Sequence, residues 1–233
     1  MHARLQLALA LTSAAATLIW QQSEPDYTYV TAAISRHGPG ASPTFVSSAA
    51  FALKPTFLQT YNVSTQSGGF IWEFTDSVNG GGRIVSTARH REALGAGGVD
   101  IAAALTPPAN APAPACAVMG FASLSPSGAT PAWAWNKTAC AVFSVAFSDD
   151  GSTVVVTGGL DINQPKLAPF IMVLDGQTGE TRWFNGGDDA SQFGGSATVT
   201  ETGAFIAYSR GDDTVVVING ATGKPRGLAL NMG

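Results

Sequence analysis

The chain has 233 residues, of which 12% are charged and 45% hydrophobic, and its net charge is -4. Ample apolar content with little charge excludes an intrinsically disordered chain. The acidic balance excludes a general nucleic-acid binder, which needs a basic face to meet phosphates. The 27 Gly and 13 Pro favour a fold of many short strands joined by tight turns.

Residues 1–22 read as a signal peptide. A short start with one Arg (Arg4) precedes the uncharged run Leu5 to Trp20, and Ala14-Ala15-Ala16 offers a small-residue cleavage site. That run is shorter than the ~20 apolar residues of a membrane span but suits a signal core. An uncleaved anchor is the other reading of the same segment. No later stretch could span a membrane as a helix, so the expected location is secreted, or periplasmic in a bacterial host. Residues 23–233 are then a single domain. It opens with a strand-like Tyr27 to Ile34, which has no local hairpin partner of comparable strength. Ser35-Arg36-His37-Gly38-Pro39 follows. It resembles the Arg-His-Gly of histidine acid phosphatases, but Gly40 stands where a second Arg is expected, and a polar turn explains it as well.

Asn62-Val63-Ser64 and Asn136-Lys137-Thr138 are sequons, so Asn62 and Asn136 are candidate glycan acceptors in a eukaryotic host. Ile71-Trp72-Glu73-Phe74 is either the last strand of one unit or the first of the next. In the second case Arg83 to Thr87 is its partner strand. Arg89-His90-Arg91-Glu92 reads as a solvated loop, and the Pro/Ala-rich stretch near 106–115 as an insertion without core-forming capacity. Cys116 and Cys140, 24 positions apart, are an even pair in a chain read as exported. A disulfide between them is expected, pinning the third strand of one unit to the first strand of the next, with two buried thiols as the other reading.

The C-terminal half carries a repeat. Phe147 to Val156 reads as strand, Asp-Asp-Gly turn, strand, and Phe170 to Trp183 as a second hairpin turning at Asp175-Gly176-Gln177-Thr178-Gly179. Ala197 to Ala207 matches the first, and Thr214 to Lys224 the second. A longer loop at Leu160 to Leu167 makes the earlier copy larger. Ser125 to Trp133 and Ser64 to Trp72 are fainter copies. In each, a turn Gly takes positive φ and a large aromatic follows to fill the space between neighbouring sheets. Repeats of this length with four strands each point to an all-β, β-propeller-like fold of about four four-stranded blades, closed, open or partial. Open strand edges would allow self-association. Asp149-Asp150, Asp188-Asp189 and Asp212-Asp213 recur beside Gly once per unit. They could offer carboxylates to Ca²⁺, although hairpin turns demand the same residues. Ser191, Ser196 and Ser209 have no acid–base partners that the sequence reveals.

Val173 to Trp183 resembles the repeat of the quinoprotein-dehydrogenase-like propellers, where an Asp-x-x-Thr-Gly turn precedes a Trp by four residues. The pairs Ala146 to Thr157 and Asp213 to Lys224 are similar to the Tyr-Val-Thr-Asn type of propeller repeat. The resemblance is good over 141–227 and weak over 27–140. It implies the fold far more than a function. The enzymes of that group hold PQQ beneath a disulfide between adjacent cysteines, with Ca²⁺ on Glu and Asn. This chain has no adjacent cysteines, and none of its residues matches a cofactor ligand. The expectation is therefore a non-catalytic secreted binding or scaffold module for a protein or carbohydrate partner, without cofactor. The alternative is a fragment of a PQQ-dependent dehydrogenase.

Overall fold

The computed structural model describes residues 28–36, 43–51, 57–62, 69–75, 83–89, 98–106, 115–122, 130–160, 168–186, 195–209 and 214–231. They form four four-stranded antiparallel sheets, each a meander of consecutive strands. The first sheet holds β1 (Thr28–Arg36), β2 (Pro43–Phe51), β3 (Phe57–Asn62) and β4 (Gly69–Thr75). In the second are β5 (Arg83–Arg89), β6 (Ile101–Thr106), β7 (Ala115–Phe121) and β8 (Trp133–Thr138). The third comprises β9 (Cys140–Phe147), β10 (Thr153–Leu160), β11 (Ala168–Asp175) and β12 (Thr181–Gly186). β13 (Ala197–Val199), β14 (Phe205–Ser209), β15 (Thr214–Asn219) and β16 (Pro225–Asn231) make the fourth.

One correction to the sequence reading follows. The first strand has a hairpin partner, β2, with Ala32 opposite Ser48 and Ile34 opposite Val46. The Pro that opens β2 and its run of small residues hid it. The last strand, β16, pairs with β15. Trp72 lies in β4, the last strand of the first sheet, so the first of its two readings holds. Residues 1–22, 107–114 and 161–167 are outside the described residues, and with them lie the segment read as a signal peptide, most of the Pro/Ala-rich stretch and the stretch read as a longer loop.

The sheets stack face to face in chain order, and three apolar layers lie between them. The period of two along each strand decides which layer a side chain joins. In β6, Ile101, Ala103 and Leu105 face the first sheet beside Leu58 and Phe74, while Ala102 and Ala104 face the third. In β11, Phe170, Met172 and Leu174 face the second sheet; Ile171 and Val173 face the fourth, against Ile206, Val216 and Ile218. β10 and β11 are covered on both faces, so they are buried along nearly their whole length and show no polar alternation. The edge strand β12 is mostly exposed.

Packing of β1 on β5, β5 on β9 and β9 on β13 places the four leading strands side by side on the inner side of an arc. Among the described residues the fourth sheet is not closed onto the first. The second and third sheets are joined most tightly. Only Ala139 separates β8 from β9, with a left-handed φ of 53°. β9 then crosses the face of the second sheet. Cys140 is disulfide-bonded to Cys116 of β7, Cα to Cα 5.4 Å. The Val142 N–H donates to Thr106 Oγ1 (3.1 Å), whose hydroxyl donates back to the Val142 carbonyl (2.9 Å). The Val145 N–H donates to Ser86 Oγ of β5 (3.1 Å). These side chains satisfy backbone groups on the open edge of β9, which would otherwise invite pairing with another chain.

Candidate functional site

In a meander the first–second and third–fourth connections lie at the same end of the sheet. The third and fourth sheets therefore bring four turns to one face. In the third sheet the Gly176 N–H donates to the Ser152 carbonyl (2.8 Å), and in the fourth the Gly220 N–H donates to the Ala204 carbonyl (2.9 Å). The Asp150 N–H donates to the Glu201 carbonyl (2.9 Å) and ties the two sheets at this face.

Each turn is shaped by its own polar side chain. Asp175 Oδ1 accepts from the N–H groups of Gln177 and Thr178, both at 2.9 Å. Asn219 does the same for Ala221 and Thr222, both at 3.0 Å. The chain then needs a left-handed residue to reverse, and Gly supplies it without a Cβ clash: φ is 73° at Gly179 and 67° at Gly223, with 70° at Gly151 and 71° at Gly203 in the other two turns. These are the four glycines that the repeat singled out.

Asp175 also meets Arg182, whose Nη2 donates to Oδ2 at 2.7 Å while Nη1 donates to Thr153 Oγ1 at 3.2 Å. Partial burial alone would raise the Asp175 pKa. The hydrogen bonds from Arg182, Thr178 and Gln177, with the guanidinium charge, outweigh burial and hold the carboxyl below its ordinary value.

Tryptophans fasten the second sheet to a turn of the third and the third sheet to a turn of the fourth. The Trp133 indole N–H donates to the Gly176 carbonyl (3.1 Å), and a Cβ on Gly179 would meet the Trp133 ring at 2.6 Å. The Trp183 indole N–H donates to the Gly220 carbonyl (2.6 Å), its ring against Gly223. Gln177 adds a longer reach. It accepts from the Val99 N–H at 3.0 Å, and its Nε2 donates to the carbonyls of Val99 (3.0 Å) and Gly151 (2.8 Å). The result is a stiff polar surface on which Asp150, Thr178, Glu180, Glu201, Thr222 and Lys224 are exposed. Acidic and basic groups are interspersed there.

The expected disulfide between Cys116 and Cys140 is present, joining the third strand of one sheet to the first of the next. Asn136 is exposed on the edge strand β8, opposite Ala117 of β7. Asn62 ends β3, at the position that Asp175 and Asn219 occupy in their sheets. Asp150 is used by its own turn, accepting from Ser148 Oγ (2.6 Å) and the Ser152 N–H (2.9 Å). Asp188, Asp189, Asp212, Asp213, His37, His90 and Ser191 lie outside the described residues. Among the described residues no three His, Cys, Asp or Glu gather where a metal could be held. Ser196 and Ser209 meet through backbone, the Ser209 N–H donating to the Ser196 carbonyl (3.3 Å).

Sequence reasoning missed a second repeat. β1, β5 and β9 each carry an unpaired bulge residue, Val30, Val85 and Phe143. A hydroxyl follows at once (Thr31, Ser86, Ser144), and an alanine two residues later (Ala33, Ala88, Ala146). A bulge breaks the alternation by which strands are recognised, so the motif shows only when the three strands are superposed.

No known protein-family profile matches the chain, and no curated protein matches it. Among solved structures, it is similar to a chain in the crystal structure of the mitotic checkpoint complex, with a TM-score of 0.58 and 10% identity over 90% of this chain and 55% of that one. It is also similar to the Dos1 propeller, with a TM-score of 0.56 and 13% identity over 89% of this chain and 47% of that one. The chain thus spans about half the length of the structures it matches. With its successive four-stranded meanders, its tryptophan-docked turns and these neighbours, the fold is a β-propeller of which four blades are described.

Proposed function

We propose that the chain is an exported, non-catalytic propeller that binds a protein or carbohydrate partner through the turn face of its blades. The observation that carries this reading is the rigidity of that face. Its turn-shaping carboxylates, Asp150 and Asp175, are committed to holding turns, while the exposed tips carry mixed charge of the kind that gives specificity to a contact. The disulfide suits a chain that matures in an oxidising compartment, in keeping with the signal-like residues 1–22. Glycosylation at Asn62 and Asn136 belongs to the same proposal.

A photo-crosslinker placed at Thr178 or Thr222 tests it. Both positions should yield the same partner from the native secretion medium, and one at Ala134 on the β8 edge should not. Equal yields from all three positions would remove the turn face from consideration. The resemblance of Val173 to Trp183 to the quinoprotein repeat favours a second reading, a PQQ-dependent dehydrogenase fragment. Dye-linked turnover on adding PQQ and Ca²⁺ would establish that reading and overturn the first.

A further inference from the structure

The chain holds three Asn-Gly pairs, beginning at Asn79, Asn185 and Asn219. The first lies outside the described residues. The other two are identical as dipeptides and differ in what the fold does to them. We infer that Asn185 is a site of spontaneous modification, where the carboxamide is lost and a carboxylate replaces it on the rim of the third sheet.

The only co-reactant is water. The backbone nitrogen of the following glycine attacks the Asn Cγ. A C–N bond forms, the Cγ–Nδ2 bond breaks, and the glycine proton leaves with that nitrogen as ammonia. Water then opens the five-membered imide at either carbonyl, giving aspartate or the isomer whose main chain runs through the side chain. The reaction needs a glycine nitrogen free to lose its proton, a carboxamide free to turn towards it, and a backbone able to leave its folded conformation. Glycine suits the second position because it has no Cβ to obstruct the approach.

Asn185 meets all three requirements. It is exposed near the end of the edge strand β12, and so is Gly186. Along β11 the backbone groups point to β12 at every second residue. The Asp175 N–H donates to the Glu180 carbonyl, while the Gly176 N–H turns the other way, to Ser152. Counting back from Asp175, Ile171 bonds to β12 and Phe170 to β10. Ile171 and Asn185 are therefore the last hydrogen-bonded pair of this ladder, and Gly186, opposite Phe170, points its N–H to the open edge. The Asn185 carboxamide makes no hydrogen bond to another described residue. Only the last pair has to open, at the end of an edge strand, where local opening costs least. Packing also holds position 186 to glycine. A Cβ there would stand 2.6 Å from the Phe184 ring, which stacks on Phe170 at 5.4 Å and carries the Lys137 ammonium at 5.3 Å.

Asn219 fails on every count. Its Oδ1 accepts from the N–H groups of Ala221 and Thr222, both at 3.0 Å, and from the Thr222 hydroxyl at 3.1 Å. Its own N–H donates to the Lys224 carbonyl (2.9 Å) and its carbonyl accepts from the Gly223 N–H (2.8 Å). The Gly220 N–H is spent on the Ala204 carbonyl (2.9 Å). The hydrogen bonds that shape the turn face bar the reaction there.

The inference is independent of the binding reading above. Trypsin cleaves after Arg182, Arg210 and Arg226, and Pro225 protects Lys224, so the two asparagines fall in separate peptides, 183–210 and 211–226, neither with another Asn. The full chain is held in mildly alkaline buffer, and mass spectrometry of the digests follows conversion of each peptide to its acid form. In the native chain 183–210 should convert at least about tenfold faster than 211–226, the factor that ~1.4 kcal/mol of hydrogen bonding to be broken first imposes on Asn219. In urea the two rates should converge, because the dipeptides are the same. Asn185→Gln should leave 183–210 unconverted. Equal rates in the native chain, faster conversion of 211–226, or a difference that survives in urea would each overturn the inference. So would a native chain in which 183–210 stays unconverted while it converts in urea.

Discussion

The docking of Trp133 makes a quantitative prediction about the junction between the second and third sheets. Its indole lies against Gly120 of β7, and a Cβ added at Gly120 would overlap the ring. Trp133 is 8% exposed, so Trp133→Ala should cost about 3–5 kcal/mol, as for other buried aromatics, and it also removes the donor to the Gly176 carbonyl. Gly120→Ala forces the ring aside and should cost about 1–3 kcal/mol by overpacking. In the double variant the added methyl enters space that the indole has left. Gly120→Ala then costs almost nothing on the Trp133→Ala background, and the coupling is about 1–3 kcal/mol. Gly179 is the wrong site for this cycle, because its φ of 73° would strain an alanine whether or not the indole is present. Denaturant unfolding followed by far-UV circular dichroism gives the four free energies. Costs that add to within ~0.5 kcal/mol would refute the packing argument.

Three further outcomes are expected. Replacing both Cys116 and Cys140 by Ala releases a loop with a sequence separation of 24, worth about 3 kcal/mol, and should lower Tm by roughly 6–12 °C; a double variant that melts with the oxidised wild type under non-reducing conditions contradicts this. Because the Asp175 pKa is depressed, its contribution is complete above the unfolded carboxylate value near ~3.9 and is lost as pH falls through the lower folded value. Asp175→Asn, which copies Asn219, should therefore keep neutral-pH stability to within ~1 kcal/mol and flatten the acid limb; loss of the fold at pH 7 would show that the charge, not the turn, matters. Ala139→Gly should raise stability by up to about 1 kcal/mol by relieving a left-handed alanine, and a lower midpoint would disprove the strain.

What the sequence reveals divides along physical lines. The glycines at 151, 179, 203 and 223 are legible because a left-handed turn has few chemical solutions, and each has φ near 70°. Trp133 and Trp183 are legible because a large aromatic at a fixed distance from a turn has one use in stacked sheets. Trp72 is ambiguous because Gly81 and Gly82 follow it much sooner than Gly151 follows Trp133, so the strand around it fits either end of a unit. β6, Ile-Ala-Ala-Ala-Leu-Thr, gives no strand signal of its own; small residues suffice because two sheets cover it. The pairing of Gln177 with Val99 spans 78 residues, and nothing local in either segment announces it. The turn face is therefore half legible, its turns visible and the side chains that stiffen it not.

The Cys116–Cys140 bond, set beside the single-residue connection at Ala139, has a mechanical consequence. Under tension applied at the chain ends, the first and fourth blades can peel away strand by strand. The second and third are cross-linked at their shared boundary, and the segment between the cysteines cannot lengthen. Its 24-residue separation withholds about 80 Å of contour at ~3.4 Å per residue. A single-molecule extension trace of the oxidised protein should fall short of the reduced one by that length, and the two central blades should resist force as one body.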